Sequence, residues 1–127
     1  MDWKHAQRQI RTRIRVGTDV NTPRSTYRFI KAVDSDINNQ RYGYHAEEGF
    51  VVPIGQSTNL RIPWSILSEC FVQLNGPNGY DGEFFEKRFP LQDEDHTCYV
   101  HVIGQIFVAA GIAYTDGKRY RMLERHR

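Results

Sequence analysis

Residues 97–123, TCYVHVIGQIFVAAGIAYTDGKRYRML, decide the fold. Tyr99, Val102, Ile103, Ile106, Phe107 and Ala110 recur at helical spacing and cover most of the circumference, which predicts a helix buried on nearly every side. Only a narrow stripe of Cys98, His101 and Gln105, beside Gly104, carries no bulky apolar group. Gly111 follows the last periodic residue, where a left-handed C-cap is usual. Ile112-Ala113-Tyr114-Thr115 then meets Asp116-Gly117, a type I′ turn signal, and Lys118-Arg119-Tyr120-Arg121-Met122 returns. The stretch is expected to be a buried helix, a glycine stop and a basic hairpin.

Working back from there, Leu60 to Leu74 places Trp64, Leu67, Cys70, Phe71 and Leu74 on one helical face, with Pro63 expected at the first helical position. Asn75-Gly76-Pro77 stops that helix. Asp81 is positioned to cap a shorter helix over 82–88, and Leu91 to His96 is expected to be a polar loop. Helix, short helix, buried helix and hairpin over residues 60–123 resemble, in order, a winged helix-turn-helix. Such a resemblance implies DNA binding, with the third helix in the major groove and the hairpin over the backbone. Base edges are read by Arg, Lys, Asn or Gln, however, and the third helix offers only His101 and Gln105. Base-specific reading through it is not expected. Lys118, Arg119 and Arg121 of the hairpin, beside Tyr120 and continued by Arg125 and Arg127, suit phosphates instead.

At the other end, Asp2 is expected to cap a helix from Trp3 to Val16. Trp3, Ala6, Ile10 and Ile14 fall on one side, and Lys4, Arg8, Arg11 and Arg15 together on another. The apolar side is expected to dock on the core or on a partner. Residues 16–25 (VGTDVNTPRS) read as a linker of turn formers. Three short strands are expected after it, at Thr26–Val33, Arg41–Glu47 and Phe50–Ile54, as an antiparallel meander over 26–54. Asp34-Ser35-Asp36-Ile37-Asn38-Asn39-Gln40 is expected to be a polar turn, and Pro53 suggests an edge strand.

With 127 residues the chain is expected to form one domain, 1–127, of α+β class. Its parts are a basic amphipathic helix (1–16), a small meander (26–54) and a winged-helix-like half (60–123). No apolar run reaches the roughly 20 residues of a membrane span, and Met1-Asp2-Trp3-Lys4-His5 carries no secretory h-region. Cys70 and Cys98 suit reduced, buried thiols, so a cytoplasmic location is expected. The net charge of +2 is unevenly spread. Residues 1–31 hold eight Lys/Arg against two Asp (+6), 32–111 hold four against eleven acids (−7), and 112–127 hold five against two (+3). Basic ends around an acidic middle suit either a polyanionic partner or a homodimer pairing the basic helix with the acidic segment.

No catalytic motif stands out. Cys98 and His101 lie one helical turn apart, but zinc needs four ligands, and a nucleophile dyad lacks a third orienting group. Tyr27, Phe29, Tyr42, Tyr44, His45 and Phe50 form an aromatic group whose ordinary role is a strand core, with base stacking the sharper alternative. The sequence is expected to encode a non-enzymatic nucleic-acid-binding module, without cofactor or metal. Its contacts would come from Arg8, Arg11, Arg15, Lys118, Arg119 and Arg121. A protein-interaction or homodimerising module is the alternative.

Overall fold

The computed structural model describes residues 1–37 and 47–123. The chain is α+β: ten elements, with a three-stranded antiparallel sheet near the N-terminal third and a two-stranded hairpin at the end, among the described residues. Helix α1 (Trp3–Arg13) is capped by Asp2, whose side chain accepts from His5 N–H at 2.8 Å. Its expected apolar face is the buried one, with Ala6 and Ile10 in the core and Trp3 edge-on to Trp64 at 6.0 Å. The helix stops short of Val16 because Ile14 turns to extended backbone while remaining buried. Arg15 therefore leaves the helical stripe of Lys4, Arg8 and Arg11 and lies in the turn that follows.

Residues 17–31 are not a loose linker and strand. They form a narrow antiparallel loop, with Gly17 N–H bonded to Ile30 O, Val20 N–H to Arg28 O and Ile30 N–H to Thr18 O. Thr22 and Ser25 exchange backbone bonds around Pro23-Arg24, where proline's fixed φ favours the first corner of a turn. Regular pairing begins only at β1 (Ala32–Ile37), across the residues expected to be a polar turn. Asp34 sits at a bulge in this strand with φ of 48°, left-handed backbone that Asp tolerates better than most residues. Its carboxylate accepts from Trp64 Nε1–H at 2.9 Å and pairs with Arg11, whose guanidinium lies 4.6 Å from the Trp64 ring centroid. One aspartate thus ties β1, α1 and the next helix together.

Strand β2 (Glu47–Pro53) is central, not an edge, because β3 (Asn59–Pro63) pairs on its other side. Leu60 and Ile62 are buried while Arg61 is exposed, the alternation of a strand rather than a lead-in to a helix. Pro53 is tolerated because Ile54 N–H makes the next bond to Thr58 O, just ahead of β3. Alternation then turns the proline nitrogen toward β1, where pairing has already ended at Ala32↔Val51. The expected strand at Arg41–Glu47 lies outside the described residues except for Glu47.

Helix α2 (Trp64–Leu74) begins directly after Pro63, which is its N-cap and not its first residue. Proline has no side-chain acceptor, and Glu47 of β2 takes over that role, accepting from Ser65 N–H at 2.7 Å and from its hydroxyl at 3.0 Å. Asp81 caps α3 (Gly82–Arg88) as expected, accepting from Phe84 N–H at 3.0 Å. The expected loop at 91–96 is instead α4 (Pro90–Asp95), with Pro90 at the first position where its missing N–H is harmless. Helix α5 (Tyr99–Ala109) is buried along its length and ends with Gly111 at φ +75°. Gly111 N–H meets Val108 O and Ile112 N–H meets Phe107 O, the paired bonds of a Schellman stop.

Strands β4 (Ala113–Asp116) and β5 (Arg119–Met122) follow, with Asp116 paired to Arg119. The two loop residues are therefore Gly117 and Lys118, and only Gly117 has positive φ. That is the sign pattern of a type II′ turn rather than the expected I′, with the glycine at the first loop position instead of the second. Tyr80, between α2 and α3, forms a one-residue strand beside β5, exchanging two backbone bonds with Tyr120 at 2.8 and 2.9 Å. Tyr120 lies across Gly104 of α5, where any Cβ would overlap the phenol ring. The stripe free of bulky groups on α5 is the seat of this tyrosine. Gly104→Ala should destabilise the fold by about 1–3 kcal/mol through overpacking. Denaturant unfolding checks this, and combining it with Tyr120→Leu should give less than the sum of the two losses.

Candidate functional site

The six arginines and lysines expected to contact nucleic acid fall into two groups. Arg11 is committed to Asp34 and to the face of Trp64. Arg121 Nε donates to Asp116 at 2.7 Å and its Nη1 to Pro77 O at 3.3 Å, while Arg119 reaches Asn78 O at 3.2 Å and Asp81 at 3.6 Å. These hairpin arginines brace β5 against the α2–α3 loop. Arg8, Arg15 and Lys118 are exposed. Arg8 borders a shallow depression of about 240 Å³ shared with His5, Gln9, Thr12 and Arg13.

Arg13, which falls near the apolar border on a helical wheel, has an unexpected position. Its guanidinium lies against Gly111, at the C-terminal end of α5, and Gln9 Nε2 donates to Ala110 O at 2.8 Å. The exposed side of α1 is therefore joined to the root of the hairpin. The tip, at Gly117 and Lys118, lies at the far end of β4. No pattern within α1 marks Arg13 as the link, because the contact depends on where α5 ends.

His101 and Gln105, the only polar readers on the third helix, both face Tyr120. His101 Nδ1 is 3.0 Å from the phenol oxygen, and Gln105 Nε2 donates to it at 3.4 Å. No residue of α5 is fully exposed; His101, Gln105, Val108 and Ala109 are half-buried and the rest of the helix is buried. Burial, and secondarily the nearby charge of Arg24, hold the His101 pKa below its ordinary value of 6.5. Cys70 is buried beside Tyr80, and burial pushes its thiol far up, leaving it unreactive. Cys98 is half-buried.

Of the aromatic group, Phe50 is core, packed at 5.1 Å on Trp64. Tyr27 is 87% exposed and Phe29 is 41% exposed, so these two do not build the core. Tyr42, Tyr44 and His45 lie outside the described residues. Among the described residues no three His, Cys, Asp or Glu side chains gather as a metal site, and no helix is long and apolar enough to cross a membrane. Comparison with known proteins finds no matching family model, no matching curated protein and no matching solved structure.

The His101 environment has a pH consequence. With a folded-state pKa below the unfolded value, the unfolded chain binds a proton first as pH falls. The stability associated with neutral His101 is complete above about 6.5 and declines as pH drops from there to the folded-state pKa. Urea midpoints measured on either side of this window should show the decline in the native chain and a shallower one in His101→Gln.

Proposed function

We propose that this protein is a non-enzymatic module that binds nucleic acid through phosphate contacts, without base-specific reading by its third helix. The observation that carries the proposal is the junction at Gly111. There Arg13 and Gln9 of α1 meet the end of α5, bringing the +6 N-terminal segment against the root of a hairpin that carries Lys118, Arg119 and Arg121 against Asp116. Adjacent basic segments give a polyanion one footprint, whereas separated ones would not. Arg8 and Arg15 supply exposed charge, and the depression between Arg8 and Arg13 is open to a phosphate oxygen. Lys118 extends the charge to the hairpin tip.

The order of elements adds support. The sequence α2, a one-residue strand at Tyr80, α3 and α4, α5 and a hairpin resembles that of a winged helix, with the short strand pairing beside the hairpin. Winged folds also serve as protein-interaction modules, so the basic surface and not the order carries the functional argument. The competing reading places α1 on the acidic middle of a second copy. It is disfavoured because α1 already buries Ala6 and Ile10 within its own chain, and Arg11 already meets Asp34 of the acidic segment.

Fluorescence titration of labelled duplex and single strands at two salt concentrations tests the proposal. The native chain should bind with an affinity that falls steeply with salt, by about 0.9 log unit per log unit of salt for each phosphate contact on duplex. Arg8→Glu/Arg15→Glu should weaken binding about tenfold or more at low salt while leaving the circular dichroism unchanged. Salt-independent binding, or none at low salt, overturns the reading.

A further inference from the structure

A cavity of about 450 Å³ lies between the tip of the 17–31 loop and the corner where α4 gives way to α5. Arg24 and Arg28 line it from the loop, and Asp95, His96, Cys98 and His101 line it from the corner. Two guanidinium groups thus face a wall bearing one carboxylate. Both are positioned by backbone pairing. Arg24 occupies the second corner of the Pro23-Arg24 turn, and Asn21 Oδ1 accepts from Arg28 N–H at 3.0 Å. Arg28 Nη1 is sealed from solvent and meets no acceptor among the described residues. A buried guanidinium N–H without an acceptor is costly, and a small rotation of Arg28 toward the cavity, where an anion's oxygen would accept from it, relieves that cost.

The imidazole of His101 contributes a further donor. His101 Nδ1 and Gln105 Nε2 both lie against the Tyr120 oxygen, at 3.0 and 3.4 Å, so the Nδ1 side of the ring is occupied by the phenol. His101 also lines the cavity, and Nε2 is the ring nitrogen that can offer a proton to an anion there. The N-terminal end of α5 joins the same wall, and its N-cap, Cys98, makes no side-chain capping bond. The helix is eleven residues long, so its positive end adds to the field of the arginines.

We propose that this cavity binds a phosphate monoester, its oxygens taken by Arg24, Arg28 and the His101 Nε2–H, with the positive end of α5 beside them. Donors arriving from the loop, the ring and the helix end suit a tetrahedral dianion better than a planar carboxylate. The volume falls in the range of organic-ligand pockets, roughly 300–1,000 Å³, and leaves room for the group esterified to the phosphate. The site is separate from the Arg8, Arg13 and Arg15 surface and does not depend on the nucleic-acid reading. Its phosphate belongs either to a small organic molecule or to the end of a strand.

The full chain is titrated with inorganic phosphate, phenyl phosphate, phenol, and a short oligonucleotide with and without a terminal phosphate. The His101 ring resonances and the rate of Cys98 alkylation are followed. Phenyl phosphate should bind saturably and more tightly than inorganic phosphate, raise the His101 pKa and slow alkylation, while phenol does neither. Arg24→Gln and Arg28→Gln should each weaken binding about tenfold or more, and Arg8→Glu/Arg15→Glu should leave it unchanged. A preference for the end-phosphorylated oligonucleotide that is lost in Arg24→Gln identifies a strand end, and a preference for phenyl phosphate identifies a small molecule. If Arg28→Gln fails to fold, Arg24→Gln at the exposed turn decides the matter. Absence of saturation, or equal affinity in native chain and Arg24→Gln, overturns the proposal.

Discussion

The seating of Tyr120 across Gly104 is the contact on which the C-terminal half depends. An ordinary helix of this apolar content would bury itself against other side chains, but α5 leaves a channel one glycine wide. The phenol ring fills the channel, and its hydroxyl reaches His101 and Gln105 at the rim. Its backbone meanwhile pairs with Tyr80, whose own hydroxyl donates to Val100 O of α5 at 2.9 Å inside the core. Two tyrosines from different connections thus clamp one helix. The polar atoms this places in the interior are bonded, as burial requires.

A second knot, at Asp34, joins the N-terminal half. Its left-handed backbone is a local strain that persists because its carboxylate serves the Trp64 indole and the Arg11 guanidinium together. The same arrangement divides the cations by purpose. Arg11, Arg119 and Arg121 hold elements in place, while Arg8, Arg15 and Lys118 face outward. Net charge at each end is therefore a poor guide to which residues meet a partner.

The 17–31 loop closes over the N-terminal corner of α5, on the side that carries Cys98 and His101. What it encloses is a cationic cavity rather than a protein–protein seam, because the loop tip carries Arg24 and Arg28 toward His96 and His101. On the two proposals, phosphate binding recurs at two scales. One is a diffuse basic surface along α1 and the hairpin, and the other is a walled site beneath the loop.

Much of the local structure was legible in sequence because local forces decide it. The apolar period of α5, the Gly111 stop, the Asp2 and Asp81 caps and the buried side of α1 each depend on residues within one or two turns. Errors arose where the deciding partner is distant. Leu60-Arg61-Ile62 is a strand only because β2 lies beside it, and Pro63 can cap α2 only because Glu47 supplies the missing acceptor. Asp34 looks like a turn residue until Arg11 and Trp64 converge on it. Residue types and charge alone therefore determined the α+β class, the buried third helix and the basic ends. Only tertiary structure decided which arginines are free, that Arg13 joins α1 to the hairpin root, and that Arg24, Arg28 and His101 share a cavity. The physical reason is that a cap or a periodic face is a property of neighbouring residues, whereas a charge's availability depends on which distant groups the fold brings within hydrogen-bond reach.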